Sequence, residues 1–153
     1  MIEDLATEQQ RAELREWFET WAGYVSGVDY RSARALFHPE VVGFGTYMEY
    51  VRGLDELEER QWRSIWSTIS DFHFLTDRLI CGVAGDGRQA WGIVPWTSTG
   101  YNVDGSTFER PGRATVLFVR DEDGEKWLAI HTHISLSPGT PPHSYAHREE
   151  KRE

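Results

Sequence analysis

Apolar positions near the start of the chain recur at helical spacing. Leu14, Trp17, Phe18, Trp21, Val25 and Val28 form one stripe of a 3.6-residue repeat until Gly27 and Asp29 interrupt it. Thr7 and Gln10 fit a capping box ahead of that stripe, each side chain satisfying a backbone N–H of the other. Asp29 is placed to cap a second, short helix over "YRSARALF", ended by Pro39 because the residue before a proline is pushed out of the α region. "VVGFGTYMEYV" is β-branched and aromatic with two glycines, which predicts a short irregular strand and a loop carrying Tyr47 and Tyr50. A third helix is predicted over "GLDELEERQWRSIWSTI". Acids fill its first turn, where the helix dipole favours them, and Leu54, Leu57, Trp62, Ile65, Trp66 and Ile69 form its stripe.

From Asp71 onward the period shortens to two. Turn signals at "AGDGR", "VDGS" and "RDEDGEK" divide the rest into a predicted meander of four antiparallel strands. Pro95 lies inside the second strand, and a proline cannot donate to a ladder, so a bulge, bend or edge is expected there. The predicted fold class is α+β: three N-terminal helices packed on a strongly curved antiparallel sheet, enclosing a cone-shaped cavity. Residues 1–137 form that domain. Residues 138–153, rich in Pro, Ser and charge without periodicity, are expected to be a flexible polar tail.

Composition narrows the function. A formal net charge of −9 argues against nucleic acid, whose phosphates are held by clustered Lys and Arg. No apolar run approaches the roughly 18 residues of a membrane span, and the acidic start lacks a secretory pattern, so the expected location is cytoplasmic. Cys81 is the only cysteine. It is expected to be buried as a small hydrophobe, and neither a disulfide nor a Cys-rich zinc site can form within the chain. Seven tryptophans are many for this length. Trp17/Trp21 and Trp62/Trp66 are each four apart, so each pair shares a helical face. They serve equally as core, subunit interface or the wall of a pocket for a flat apolar molecule.

Candidate chemistry lies in "WLAIHTHISL", Trp127 to Leu136. Strict alternation puts Trp127, Ala129, His131, His133 and Ser135 on one face and Leu128, Ile130, Thr132, Ile134 and Leu136 on the other. With two faces to cover, one would line the cavity and the other meet a second subunit, most simply in a homodimer. His131 and His133, if they face the cavity, are the candidate acid and base for proton transfer. The alternatives are hydrogen bonding to neighbouring strands, ligand binding without chemistry, or metal binding. The last would need a third ligand such as His73 or Glu109, and neither a metal nor another cofactor is expected. Arg113, two residues before Thr115, is a candidate to hold a carboxylate or enolate oxygen, or else a surface arginine. Trp17, Trp21, Tyr24, Tyr47, Trp62, Trp66 and Arg113 make up the candidate ligand-binding set.

Three helices before a bent sheet that closes with Thr115, the Asp123–Gly124 turn, Trp127 and the run His131, His133, Ser135 resemble the nuclear transport factor 2-like superfamily, in its SnoaL-like or ketosteroid isomerase-like branch. The resemblance covers about residues 8–136. It implies the cone fold and a pocket, with a function ranging from isomerase, dehydratase or cyclase to a non-catalytic ligand-binding or oligomerisation domain. Ketosteroid isomerases carry an inward general-base aspartate after the second helix. This sequence has Phe44 and Gly45 there, and Glu49 could substitute only if its loop turned inward.

Overall fold

The computed structural model describes residues 5–146. The capping box forms as predicted, Thr7 Oγ1 accepting from the Gln10 backbone N–H at 3.1 Å while Gln10 Oε1 accepts from that of Thr7 at 2.9 Å. Helix α1 (Glu8–Ser26) follows and buries Leu14, Trp17, Phe18, Trp21, Ala22 and Val25. Asp29 caps α2 (Tyr30–Ala33), which tightens to a 3-10 turn at Arg34–Leu36. The third helix changes pitch along its length. It opens as α (Leu54–Glu56), widens to a π-helix (Leu57–Trp62), resumes as α (Arg63–Ile65) and closes as 3-10 (Trp66–Thr68).

Eight strands form one sheet: β1 (Phe37–Phe44), β2 (Val51–Arg52), β3 (Ser70–Phe74), β4 (Ile80–Val83), β5 (Gln89–Tyr101), β6 (Thr107–Glu109), β7 (Gly112–Arg120) and β8 (Trp127–Leu136). The order is β2-β1-β8-β7-β5-β3, with β4 and β6 also pairing β5. The sheet is mixed, because β1 lies parallel to β8 while the other pairs are antiparallel. Periodicity marks which residues are strands but not which distant strand they pair with, so this parallel contact is not in the pattern. The "AGDGR", "VDGS" and "RDEDGEK" turns each carry a left-handed glycine: Gly87, Gly105 and Gly124.

Pro95 sits where one edge of β5 passes from one partner strand to another. Along one edge of β5, residues 90–93 pair β4 and residues 96–99 pair β3, and Pro95 lies between the two. Its carbonyl accepts from the Leu75 N–H at 2.9 Å, at the corner joining β3 to β4. N–H and C=O of one strand residue point to the same side, so the missing donor costs no bond to β7.

The core is aromatic and lies between α1 and the inner face of the sheet. Trp17 packs edge-on to Phe18 and Phe118, at 5.2 and 4.8 Å between ring centres, and Trp21 packs on Phe37 at 5.1 Å. Cys81 is fully buried, and burial pushes its thiol pKa up, so it behaves as the small hydrophobe expected. The segment read as a loose arm is anchored in its first part. The Tyr145 N–H donates to the Tyr101 carbonyl, and Ser144 Oγ accepts from the Tyr101 N–H, closing a patch the tail's composition does not reveal. Residues 147–153 of that tail lie outside the described residues.

Gly112 opens β7 because two neighbours occupy the space of a side chain. A Cβ there would lie 2.1 Å from the Trp96 ring and 2.2 Å from the Ser135 carbonyl oxygen. Gly112→Ala is therefore expected to destabilise the fold by about 1–3 kcal/mol, since neither indole nor backbone can move away freely. A urea midpoint unchanged from wild type would contradict this packing.

Candidate functional site

Pleated strands alternate their side chains, and one unpaired residue inverts the alternation. Such a residue sits in β8. Leu117 of β7 pairs with His131 and Phe118 pairs with Ala129, which leaves Ile130 as the extra residue. Before it, Trp127 and Ala129 point inward with Phe118; after it, Thr132 and Ile134 do so, opposite Val116 and Ala114. His131, His133 and Ser135 consequently share the outer face with Leu117, Thr115 and Arg113. Strict alternation had placed the histidines together with Trp127 and Ala129, and the bulge separates them.

On that outer face the histidines make structural contacts. His131 Nδ1 lies 2.7 Å from the Val42 carbonyl, which only accepts, so the proton is on Nδ1 and ties β8 to β1. Both rings meet Phe44 edge-on, at 5.0 and 5.2 Å. Arg113 is exposed and its Nε donates to Ser135 Oγ at 3.1 Å.

The cavity lies elsewhere, between the third helix and the inner face of the sheet. Trp21, Trp62, Trp66, Trp96 and Ile134 supply much of its apolar wall, and Thr46, Gln61, Arg110 and Thr132 its polar groups. Trp62 stacks on Trp66 at 4.7 Å and Trp66 on Tyr30 at 5.2 Å, which fixes the helical wall. The space left is about 40 Å³, room for about three water-sized bodies. The tryptophans narrow the cavity without closing it. Half-buried Gly45, Thr46, Ile65 and Ile134 and exposed Phe44 are among its lining residues and mark its rim.

Of the candidate ligand-binding residues, Trp21, Trp62 and Trp66 come together here. Trp17 is buried in the neighbouring aromatic core, Tyr24 is half-buried against it, and Tyr47 is 61% exposed. Glu49 is exposed on its loop and offers no inward carboxylate. Among the described residues, none of those lining the cavity is Asp, Glu or His, and no three His, Cys, Asp or Glu side chains are grouped to hold a metal ion.

Arg110 is the charged group of the cavity. It joins β6 to β7 and is held by a reciprocal pair, its N–H donating to the Ser98 carbonyl and Ser98 Oγ donating to its own carbonyl, both at 2.8 Å. The side chain is 1% exposed. One Nη donates to Thr46 Oγ1 at 3.2 Å, the guanidinium lies over the Trp96 ring at 5.5 Å, and Nε is buried without a hydrogen-bond partner. Thr46 Oγ1 also accepts from Gln61 Nε2 at 2.9 Å, while Gln61 Oε1 accepts from the Tyr47 and Met48 backbone N–H groups. Burial without a carboxylate pushes the Arg110 pKa down to about 10, below the usual guanidinium range. The group is still charged at neutral pH, so the folded state carries the full desolvation cost there. That cost is relieved only as pH rises above about 10, where the folded state gives up the proton before the unfolded chain does.

Residues 14–138 match the family model of the SnoaL-like domain. The chain belongs to the SnoaL-like family. Among solved structures, this SnoaL-like chain is similar to a nuclear transport factor 2-like superfamily protein from Salmonella enterica serovar Typhimurium (TM-score 0.72, 21% identity, covering 89% of this chain and 96% of that one). It is also similar to a ketosteroid isomerase-like protein from Erwinia carotovora atroseptica (0.69, 16%, 86% and 100%). The association domain of Caenorhabditis elegans CaMKII is a third likeness (0.66, 12%, 84% and 96%). At these identities the likeness is one of fold. No curated protein matches the chain. Among the described residues, no helix is long and apolar enough to cross a membrane.

Arg110, Gln61, Thr46, Trp96, Thr132 and Ile134 are absent from the set read out of the sequence of this SnoaL-like domain. Two of them left a signal. Arg110 has the parity of Ala114, Val116 and Phe118, the inward residues of β7, and Gln61 lies four residues from both Leu57 and Ile65 on an apolar stripe. Polar groups on buried faces are the informative exceptions.

If Arg110 is uncompensated, replacing it with an apolar side chain of similar length should stabilise the fold. Arg110→Met is expected to gain about 1–3 kcal/mol, read as a rise in thermal midpoint of a few degrees. A fall of similar size would mean that the charge is compensated within the folded chain.

Proposed function

We propose that this SnoaL-like domain binds a small apolar or aromatic molecule in the cavity beneath its third helix, as a ligand-binding protein. The observation that carries this reading is the space of about 40 Å³, walled by tryptophans and with Thr46, Gln61, Arg110 and Thr132 among its lining residues. Isomerisation, dehydration or cyclisation by proton transfer would need a base in reach of the substrate. The described lining residues include neither a carboxylate nor an imidazole, which supports binding over chemistry by His131 or His133.

A second reading, assembly through the outer face of the sheet, is favoured by a separate observation. Ile93 and Leu117 are each 42% exposed there, and Phe44 lies exposed against the histidines on the same face. An apolar sheet face of this kind suits a twofold partner, and one structural relative is named an association domain. Binding in the cavity and pairing on the outer face use opposite sides of the sheet and are compatible.

A thermal-shift screen with small apolar and aromatic fragments tests the first reading. Hits should raise the midpoint of wild type and of the His131→Ala/His133→Ala double variant alike, and lose their effect in Ile134→Phe, which fills the cavity. Loss of the effect in the histidine variant alone would move the site to the outer face. For assembly, Leu117→Glu is expected to convert a dimer to monomer in size-exclusion chromatography with light scattering. A wild-type chain that is already monomeric at micromolar concentration would reject the dimer.

A further inference from the structure

The polar groups around the cavity are unbalanced in one direction. Trp21 Nε1, Trp96 Nε1 and Arg110 Nε are buried donors without partners, and all three residues line the cavity. No side-chain acceptor lining it is left in that state among the described residues. Thr46 Oγ1 and Gln61 Oε1, the acceptors nearest the guanidinium in the bonding network, are already engaged by N–H groups. An ordinary core contains few such orphans, and those that occur in native structures call for an explanation.

Water can satisfy an orphan N–H but cannot neutralise a buried charge. The guanidinium has five N–H donors, of which one is bonded to a side chain of the described residues. It stays charged at neutral pH and has no carboxylate beside it, so the missing partner is an acceptor carrying negative charge. The rest of the lining narrows the choice. A wall of Trp62, Trp66, Ile65 and Ile134 offers nothing to a strongly hydrated inorganic ion but suits a hydrocarbon group. One cation matches a single negative charge, and about 40 Å³ limits the ligand to a few heavy atoms unless side chains yield.

Resting on the reading of this cavity as a ligand site, we infer that its ligand is a small apolar monocarboxylate, with the carboxylate on the Arg110 guanidinium and the hydrocarbon end against Trp62 and Trp66. The ligand then supplies the counter-ion that the charge inside the aromatic cavity lacks. Arg110 takes the part for which Arg113 is the candidate in the sequence, Arg113 lying on the outer face. The pitch of the third helix fits the same picture. Its π-turn holds both Gln61, which braces Thr46 beside Arg110, and Trp62 of the apolar wall, and π-turns are frequent at functional sites.

Propionate and propionamide share shape and size and differ in charge, so they separate the anion from the cavity. Their binding to the full chain can be followed by tryptophan fluorescence and calorimetry at constant ionic strength, with chloride as the competing salt. Propionate is expected to bind wild type at least about tenfold more tightly than propionamide. Arg110→Gln should abolish the preference, and Arg110→Lys, which keeps the charge without the fork, should retain part of it. Equal binding of acid and amide, both blocked by Ile134→Phe, would overturn the anion while leaving the cavity as a ligand site. Binding of neither would overturn both readings. Displacement of propionate by equimolar chloride would mean a simple halide site and would also overturn the proposal. Should Arg110→Gln fail to fold, the wild-type comparison of acid with amide decides alone.

Discussion

One unpaired residue in the closing strand determines which side chains see the interior. Ile130 shifts the register of β8 against β7. The strand thus gives Trp127 and Ala129 to the core under α1, Thr132 and Ile134 to the cavity, and both histidines to the outer face. Without the shift, the inward positions beyond residue 129 would be His131 and His133. The interior would then hold two imidazoles and a different chemistry. With it, the interior holds one permanent cation, hydroxyls, an amide and indole N–H groups.

That interior is poorly optimised as a core. Tryptophans stack along the third helix and fill most of the space, which accounts for the narrow cavity, yet a guanidinium is buried among them with one side-chain hydrogen bond. Burial of an unpaired cation is among the most costly arrangements a fold can contain, and natural sites retain such costs where a ligand relieves them. Gln61 bonds to Thr46, which accepts from the guanidinium, and the reciprocal Arg110–Ser98 pair fixes the backbone that carries the charge.

The sequence was most readable where the signal is local. The capping box at Thr7, the glycine turns and the position of Pro95 each follow from one or two residues and a steric rule, and each is found. The superfamily likewise follows from a run of motif residues in order. The site was less readable because it depends on register. A bulge leaves no mark in the alternation of a ten-residue strand when both faces mix apolar and polar groups, as "WLAIHTHISL" does. Ala129 and Trp127 pulled the histidines inward in the pattern, whereas in space they belong to a different phase of the strand. Arg110 stands just before Pro111 and outside the regular part of β7, so only its parity with Ala114 and Val116 marked it as inward. The parallel pairing of β1 with β8 joins residues almost ninety positions apart, a separation over which local periodicity carries no information.

If the interior of this SnoaL-like domain is an anion-seeking donor site at Arg110 with the histidines outside it, a bound carboxylate perturbs the first and not the second. Side-chain NMR during a propionate titration tests it most directly. The Arg110 Nε–H signal and the Trp96 indole N–H signal are expected to move together and saturate at one equivalent site, while the ring signals of His131 and His133 hold still. Movement of the histidine rings with no change at Arg110 would contradict it.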